Sequence, residues 1–519
     1  MATFVVIDAG GCHVDTARTI GKEGHKVFYF NTWQSMYPRF EAYAPGVGIP
    51  EIESVMDWAP YVDEADCIII PDIGMGGLAQ WLRDSGYPVF GGGVAEIVEN
   101  DRIISCDIMD KYNIKYPTTL KIHGVDEAIQ SLEKLLSGKS ETAQLSDGEY
   151  FVKFNTWRGS LETFPVESID QAKFMLDSAK SSLGPYANEV PMVISKKVSG
   201  IEMGWDGIMG KTGLLKPIMM GFESGENYVG RMVDDLGPMQ PMADQIEKYL
   251  KDTNYIGFVS VEVIYDGKDC HMLDFTIRSP MPLGLMYSKF IPNFGDFLIS
   301  VANGETPTLP MPKDTYLGCV KISSDEANEK YLKISGNENT RFLRYMMVKD
   351  ECYSVPGLPT VGVITGQGKS FKELEDNFEK NSNGVSVFFG NFDTGFLENV
   401  KKKYIEPLEK LGISFGPNTE TECRFKTDAS NILDLLTEKN HDDAVYTLIH
   451  ADGSTDVFSD VSQFLKVAAK YGYKRKGTVT DVNSKFYGFP IMNGLVGPEY
   501  NGPGKAKYTA IPKNKYVKI

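Results

Sequence analysis

The chain has 519 residues, of which 42% are hydrophobic and 24% charged, ordinary globular values that allow several cores and exclude a disordered chain. A net charge of −17 argues against a nucleic-acid backbone as the main partner, which demands a basic footprint. Seven cysteines, widely spaced and without a C-x-x-C pair, fit reduced thiols in a cytoplasmic protein better than a disulfide framework or a zinc site.

The chain opens directly on a strand, so no secretory leader is expected, and no run approaches the ~20 apolar residues that span a bilayer. At roughly 150 residues per domain, the length implies three to four domains. Residues 1–116 alternate strand and helix. A strand at 3–7 leads into Asp8-Ala9-Gly10-Gly11, followed by a helix to about residue 23 and a strand at 25–30. A strand at 67–70, a helix at 78–85 and a strand at 87–90 then close on Gly91-Gly92-Gly93. Such alternation predicts a doubly wound parallel sheet, whose ligands gather at the carboxyl ends of its strands. The Gly10-Gly11 turn reads either as a tight βα turn or as an anion cradle at a helix N-terminus. It is not G-x-G-x-x-G, which leaves a dinucleotide-dependent oxidoreductase without its fingerprint.

Next come Glu99-Asn100-Asp101-Arg102 and a helix at 103–112. A cation beside a helix N-terminus is mildly unfavourable, so Arg102 is either a surface residue or faces an anion. A helix at 126–136 and a polar stretch at 137–147 precede Tyr150-Phe151-Val152-Lys153-Phe154. A lysine in such a strand snorkels at an edge or pairs with something buried. The strand 192–195 runs into Lys196-Lys197-Val198-Ser199-Gly200-Ile201-Glu202, where Glu202 reads locally as an exposed turn carboxylate.

The stretch 256–280 is the most informative. Two alternating runs, 258–265 and 270–278, flank Asp266-Gly267, a strong hairpin signal. Side chains alternate along a strand, so Asp274, Thr276 and Arg278 share one face, and Leu273, Phe275 and Ile277 the other. With an odd loop, Glu262 faces Asp274. Like charges directly opposite destabilise a sheet, so a cation is expected between them, and Arg278 is two same-face positions away. The face is either a solvated one or a site for Mg²⁺ and phosphate.

Glu262, Asp274, Thr276 and Arg278 resemble the metal and phosphate strand pair of the ATP-grasp ligases, with Thr276 where asparagine is usual. The glycine pair, the 90–117 segment and Val361-Gly362-Val363-Ile364-Thr365-Gly366-Gln367-Gly368 with its following helix resemble the phosphoribosylamine–glycine ligase branch. The resemblance implies an α/β, ATP-grasp fold with an N-terminal doubly wound, Rossmann-like domain (1–117). An ATP-grasp domain (118–310), a closing domain (311–415) and an extra C-terminal α/β region (416–519) follow. It implies Mg²⁺ on Glu262, Asp274 and Thr276, and Arg278 on acyl-phosphate oxygens. Arg102 and Lys153 would meet ATP phosphates, the backbone of Ser195, Lys196, Lys197 and Val198 the adenine, and Glu202 the ribose and triphosphate. Gly10 and Gly11 would receive a substrate phosphate.

The implied activity is ATP-dependent carboxylate–amine ligation through an acyl phosphate, joining glycine or another amino acid to phosphoribosylamine or a related amine in purine biosynthesis. Partners would be small molecules, with no nucleic acid and no membrane. Two departures stand out. The loop at 155–160 has a single glycine where the family's phosphate-covering loop is glycine-rich, leaving Arg158 and Ser160 as candidate contacts. The family's N-T-G-G-M-G and G-D-P-E segments are absent. A non-catalytic protein on the same fold is the competing reading. It does not explain why Glu262, Asp274, Arg278 and Lys153 occur together.

Overall fold

The computed structural model describes residues 1–32, 43–137, 148–155, 163–281, 283–313, 315–411, 413 and 415, then five short strands and two single positions. Internal contacts divide the chain into Met1–Ile413 and Ser414–Ile519.

The first unit begins with β1 (Thr3–Asp8), α1 (Val14–Lys22), β2 (Lys26–Asn31), β3 (Glu53–Ser54), β4 (Cys67–Ile69), α2 (Gly76–Asp84) and β5 (Val89–Phe90). The strands form one parallel sheet in the order β3-β2-β1-β4-β5. Phe4, Val5, Val6 and Ile7 are fully buried, as expected of a parallel strand covered on both faces. The order reverses between β1 and β4. The carboxyl ends of those two strands therefore flank the crevice where such sheets bind ligands.

Two helices, α3 (Ile97–Asn100) and α4 (Arg102–Tyr112), lead out of this sheet. Asp101 caps α4, its Oδ1 accepting the Ile104 N–H at 2.8 Å. Then come β6 (Thr119–His123), α5 (Val125–Leu136), β7 (Tyr150–Phe154), β8 (Thr163–Val166), α6 (Ile169–Leu183) and β9 (Pro191–Lys196). Their strands pair antiparallel in the order β6-β9-β7-β8. One face of this small sheet buries Tyr150, Val152, Phe154 and Ile194 with Leu132 and Leu176 of the helices. Alternation leaves Phe151, Lys153, Val193 and Ser195 on the other face.

The rest of the unit centres on a larger sheet. Its elements are β10 (Ile201–Met209), β11 (Ile218–Ser224), β12 (Asn227–Val233), α7 (Gln240–Asp252), β13 (Gly257–Tyr265), β14 (Cys270–Thr276), α8 (Gly284–Phe290) and α9 (Phe294–Ala302). They continue with β15 (Tyr316–Ser323), β16 (Leu332–Ser335), β17 (Thr340–Phe342), β18 (Tyr345–Val348), β19 (Glu351–Ser354), β20 (Thr360–Gly368), α10 (Phe371–Ser382) and β21 (Ser386–Val387). Eight strands pair antiparallel in the order β14-β13-β10-β11-β12-β15-β20-β17, so strands on either side of residue 310 share one sheet. A separate four-stranded sheet runs β18-β19-β16-β21.

The sequence pattern predicts one long helix over 396–411; the chain there forms α11 (Leu397–Val400), a π-turn (Lys401–Ile405) and α12 (Glu406–Lys410). Pro407 has no N–H for the carbonyl four residues back, so the ladder widens there.

In the second unit, the strands Ala444–Ile449, Thr455–Phe458 and Ile511–Pro512 form one sheet, and Arg475–Thr478 pairs with Pro490–Met492. The sequence pattern of this region predicts helices at 430–438 and 459–471; the first lies outside the described residues, as does the second apart from two positions. No helix among the described residues is long and apolar enough to cross a membrane.

Candidate active site

The hairpin forms where the sequence places it, as β13 and β14. Asp266 organises the turn. Its Oδ1 accepts the N–H groups of Lys268 (2.9 Å) and Asp269 (2.8 Å), and its own N–H reaches the Asp269 carbonyl at 3.1 Å. These backbone donors, Asp269 first, hold the Asp266 carboxyl well below its ordinary pKa. The turn spans an even number of residues, not the odd number expected. A regular ladder from Tyr265↔Cys270 would set Leu273 against Glu262. Instead the register shifts between Glu262 and Val263, with Val263 facing Met272 and Glu262 facing Asp274. The extra residue of this bulge is Leu273. It lines the cavity together with its neighbours Met272, Asp274 and Phe275.

Across the strands, Gly230, Gly221, Gly204, Glu262 and Asp274 form one register row. On the same face lie Glu202 and Asp206 of β10 and Glu223 of β11, so carboxylates outnumber the two that the hairpin supplies. Burial, then Glu223 and Asp274, push the Glu262 pKa up to about 8. Burial, then Asp206 and Glu226, push Glu223 up to about 7. Asp206 is raised to about 6 by burial, although the Tyr228 hydroxyl donates to its Oδ2 at 2.6 Å. The face is charged beyond what its own side chains neutralise.

Arg278 does not lie between Glu262 and Asp274 as expected. The strand ends at Thr276, and Glu99 takes the following residues. Its Oε2 accepts the Ile277 N–H at 3.0 Å and its Oε1 the Arg278 Nε at 2.8 Å. Asp72 lies 3.7 Å from the same Nε. Two carboxylates from the N-terminal segment thus fix the guanidinium at the edge of the acid face. Thr276 faces Ser260, one row beyond the acid pair, and does not line the cavity.

A cavity of about 470 Å³ separates the exposed face of the small sheet from the acid face of the large one, within the size range of nucleotide and drug-sized sites. The small sheet contributes Thr119, Phe151, Lys153, Val193 and Ser195. These residues share a face because Ser195 pairs with Thr119 and Phe151, and Lys153 with Val193. Opposite stand Glu202, Glu262, Ile264, Met272 and Asp274, and α4 adds Arg102, Cys106 and Met109. Arg102 is anchored by its Nε on the Phe154 carbonyl at 3.0 Å. Cations therefore face carboxylates across the gap, beside an apolar slot.

The hinge departs from expectation. Lys196, Lys197 and Val198 do not line the cavity. The Lys196 N–H donates to the Thr118 carbonyl (2.9 Å) and the Lys197 N–H to the Glu149 carbonyl (2.7 Å). The Lys197 side chain pairs with Glu149. Both amides are committed, so a base could draw here only on carbonyls and the Val198 backbone. Residues 156–162, which include Arg158 and Ser160, lie outside the described residues.

The glycine turn sits at the sheet's switch point. Gly11 has φ +68° and its N–H donates to the Asp8 carbonyl at 3.2 Å. The Gly10 carbonyl accepts from Arg344 Nη2 at 2.8 Å. A Cβ on Gly10 would lie 3.1 Å from Asp72 Oδ2, so Asp72 links this turn to Arg278. Asp8 is buried, accepting from the His13 N–H (2.6 Å) and the Tyr29 hydroxyl (2.7 Å). Burial works to raise its pKa, yet His13 and Tyr29 bring it below the ordinary value. The expected phosphate cradle thus has one amide already used and two carboxylates beside it.

Sequence reasoning missed Asp72, Glu99, Asp206, Glu223 and Arg344. The available signal was Asp206 standing inside the apolar run of its strand, where an unpaired carboxylate is costly.

No protein-family model and no curated protein matches the sequence. Solved structures do. The chain is similar to phosphoribosylamine–glycine ligase from Thermotoga maritima, with TM-score 0.56 and 14% identity over 75% of this chain and 98% of that one. It is similar to the biotin carboxylase domain of Hydrogenobacter thermophilus 2-oxoglutarate carboxylase, solved with ADP and magnesium (TM-score 0.57, 11% identity, 78% and 94% covered). A third likeness is to biotin carboxylase from Campylobacter jejuni, solved as a β-γ-ATP complex (TM-score 0.54, 12% identity, 77% and 95% covered). The parallel N-terminal sheet, the two antiparallel sheets facing each other across a cavity and these likenesses together identify the fold of the chain as ATP-grasp.

Proposed function

We propose that the protein is an ATP-dependent carbon–nitrogen ligase that joins a carboxylate to an amine. The observation that carries this reading is the acid pair of half-buried Glu262 and exposed Asp274, directly opposite in register and lining one cavity with Lys153 and Arg102. The residues fit Mg²⁺ and ATP. Oxygen donors suit Mg²⁺, which takes one or two carboxylates and completes its shell with phosphate and water. The raised pKa of Glu262 marks a site that gains by receiving a cation.

Bound Mg-ATP would supply the phosphoryl group that activates the carboxylate as an acyl phosphate. Glu262 and Asp274 would hold the metal. Lys153 and Arg102 would neutralise the phosphate chain. Phe151, Val193, Met109 and Met272 offer the apolar slot a purine requires. Arg278, oriented by Glu99 and Asp72, would steady the anionic oxygens of the activated acid. Gly10 and Gly11 would seat the second substrate, which Asp72 brings next to Arg278. Glycine and phosphoribosylamine are the pair suggested by the similarity to phosphoribosylamine–glycine ligase, and with them a place in purine biosynthesis. An ADP-release assay across amino acids, each with and without a panel of amines, tests this reading. Release that requires both substrates supports ligation. No release with any pair, despite bound Mg-ATP, rejects it.

A further inference from the structure

Next to Glu262, on the far side from Asp274, lies a second and smaller hollow of about 40 Å³. A water-sized group occupies roughly 10–15 Å³ on this measure, so there is room for about three. Gly204 and Gly221 face each other at its floor. Gly221 and Gly230 are bare because the Tyr228 ring lies across them: a Cβ on either would meet that ring within 2.7 Å. The walls are Glu202, Asp206, Glu223 and Glu262, with Pro280, Met281 and Leu283 closing the side that follows Arg278. Tyr404, brought in by the π-turn, forms part of the roof. It stacks on Phe222 (5.3 Å between centroids, 12°), and its hydroxyl is met by the Lys403 amine at 2.7 Å.

Two observations point to an occupant of one kind. No Lys, Arg or His stands among the described residues that line the hollow, so an anionic group would meet four carboxylates and the hydroxyls of Tyr228, Ser260 and Tyr404 but no cation. Asp206 is 2% exposed, and its Oδ1 has no hydrogen-bond partner although Tyr228 satisfies its Oδ2. A buried carboxylate oxygen left this way is costly unless a donor reaches it.

We propose that this hollow receives the ammonium head of a small primary amine or amino acid, a subsite for one substrate of the ligation and therefore resting on the ligase reading above. An ammonium group has three donors and no acceptor. It matches Asp206 Oδ1 and the Glu223 carboxylate in charge, Glu262 being left to the metal. The size of the hollow selects a head with one or two attached carbons. A ribose phosphate is excluded from this position by charge and by volume.

The test is a set of melting curves with Mg²⁺ and a non-hydrolysable ATP analogue present, adding methylammonium, glycine, tetramethylammonium or sodium chloride at equal ionic strength. Methylammonium, glycine or both should raise the melting temperature beyond the sodium control, and tetramethylammonium should not. Methylammonium alone would identify an amine, and glycine alone an amino acid whose carboxylate contributes. Glu223→Gln and Asp206→Asn, which keep shape and remove charge, should weaken half-saturation by methylammonium or glycine at least about tenfold while retaining the shift caused by the Mg-nucleotide. The wild-type comparison with tetramethylammonium needs no variant to fold. A normal Mg-nucleotide shift with no response to either ligand overturns this inference and leaves the ligase reading standing. An undiminished response in both variants also overturns it. Absence of the Mg-nucleotide shift in the wild type removes the ligase reading itself and this inference with it.

Discussion

Glu262 concentrates the charge conflict of the large sheet, because it is half-buried, faces Asp274 directly and has Glu223 as its strongest repelling neighbour. Without a cation, its ionised form burdens the folded state. Glu262→Gln should therefore raise the melting temperature of the protein alone and abolish the further rise caused by Mg-ATP, since ligand stabilisation follows occupancy. Asp274 is exposed, so Asp274→Asn should change the free protein little and still remove the Mg-ATP shift. A normal shift in both variants would mean that the acid pair is not the metal site. Lys153 faces this pair from the small sheet. Losing its charge-assisted contact in Lys153→Ala should cost about 1.5–3 kcal/mol, or roughly ten- to a hundredfold in ATP affinity by calorimetric titration. Unchanged affinity would reject its assignment to the phosphates. Arg278 could be singled out from the sequence, but its partner could not. Glu99 lies far away in sequence, and nothing local announces that it will clamp both the backbone at 277 and the guanidinium at 278.

Among the elements, the hairpin was legible because its signals are local: alternation on both sides of Asp266-Gly267 and a carboxylate able to bind the turn's own amides. Its parity was not, since the bulge at Leu273 depends on how β13 is held by β10. The acid face was legible only at the hairpin. Asp206 and Glu223 join it through the pairing of β10 with β13 and β11, a long-range register that no window of sequence displays. The hinge was found by position, yet its amides had already been claimed by Thr118 and Glu149. The glycine turn separates two roles that the sequence merged. Gly11 has φ +68°, and a side chain there should cost about 1–2 kcal/mol whatever binds nearby. At Gly10 φ lies outside that region, and the added atom would press only on Asp72. Gly11→Ala should thus lower stability in urea titrations. Gly10→Ala should leave stability nearly unchanged and raise the KM of the non-nucleotide substrate while sparing that of ATP. Equal changes in both KM values for Gly10→Ala would reduce the turn to scaffolding.

At the scale of the whole molecule, the acid face sets how stability responds to pH. Asp206, Glu223 and Glu262 have folded-state pKa values raised to about 6, 7 and 8, while unfolded carboxyls titrate near 4. The folded chain therefore holds protons that the unfolded chain has released. Stability falls with rising pH wherever the folded state binds more protons. The contribution is fully present below about pH 4 and is lost progressively as pH rises to about 8. Asp8 and Asp266 shift the other way, so their stabilisation disappears only as pH drops below the ordinary carboxyl range, a separate window. Melting temperature measured without nucleotide should thus decline between about pH 5 and 8. Glu262→Gln should flatten the upper part of that decline. Mg-ATP should flatten it too, because the metal takes over the neutralising role of the protons. The Mg-ATP shift should accordingly grow with pH, and its binding at pH 7 should release protons, seen as a calorimetric heat that depends on the buffer's ionisation enthalpy. A melting temperature that is flat or rising over this range, together with buffer-independent heats, would mean that the carboxylates of the large sheet are neutralised in some other way and that the cavity is not built around a cation.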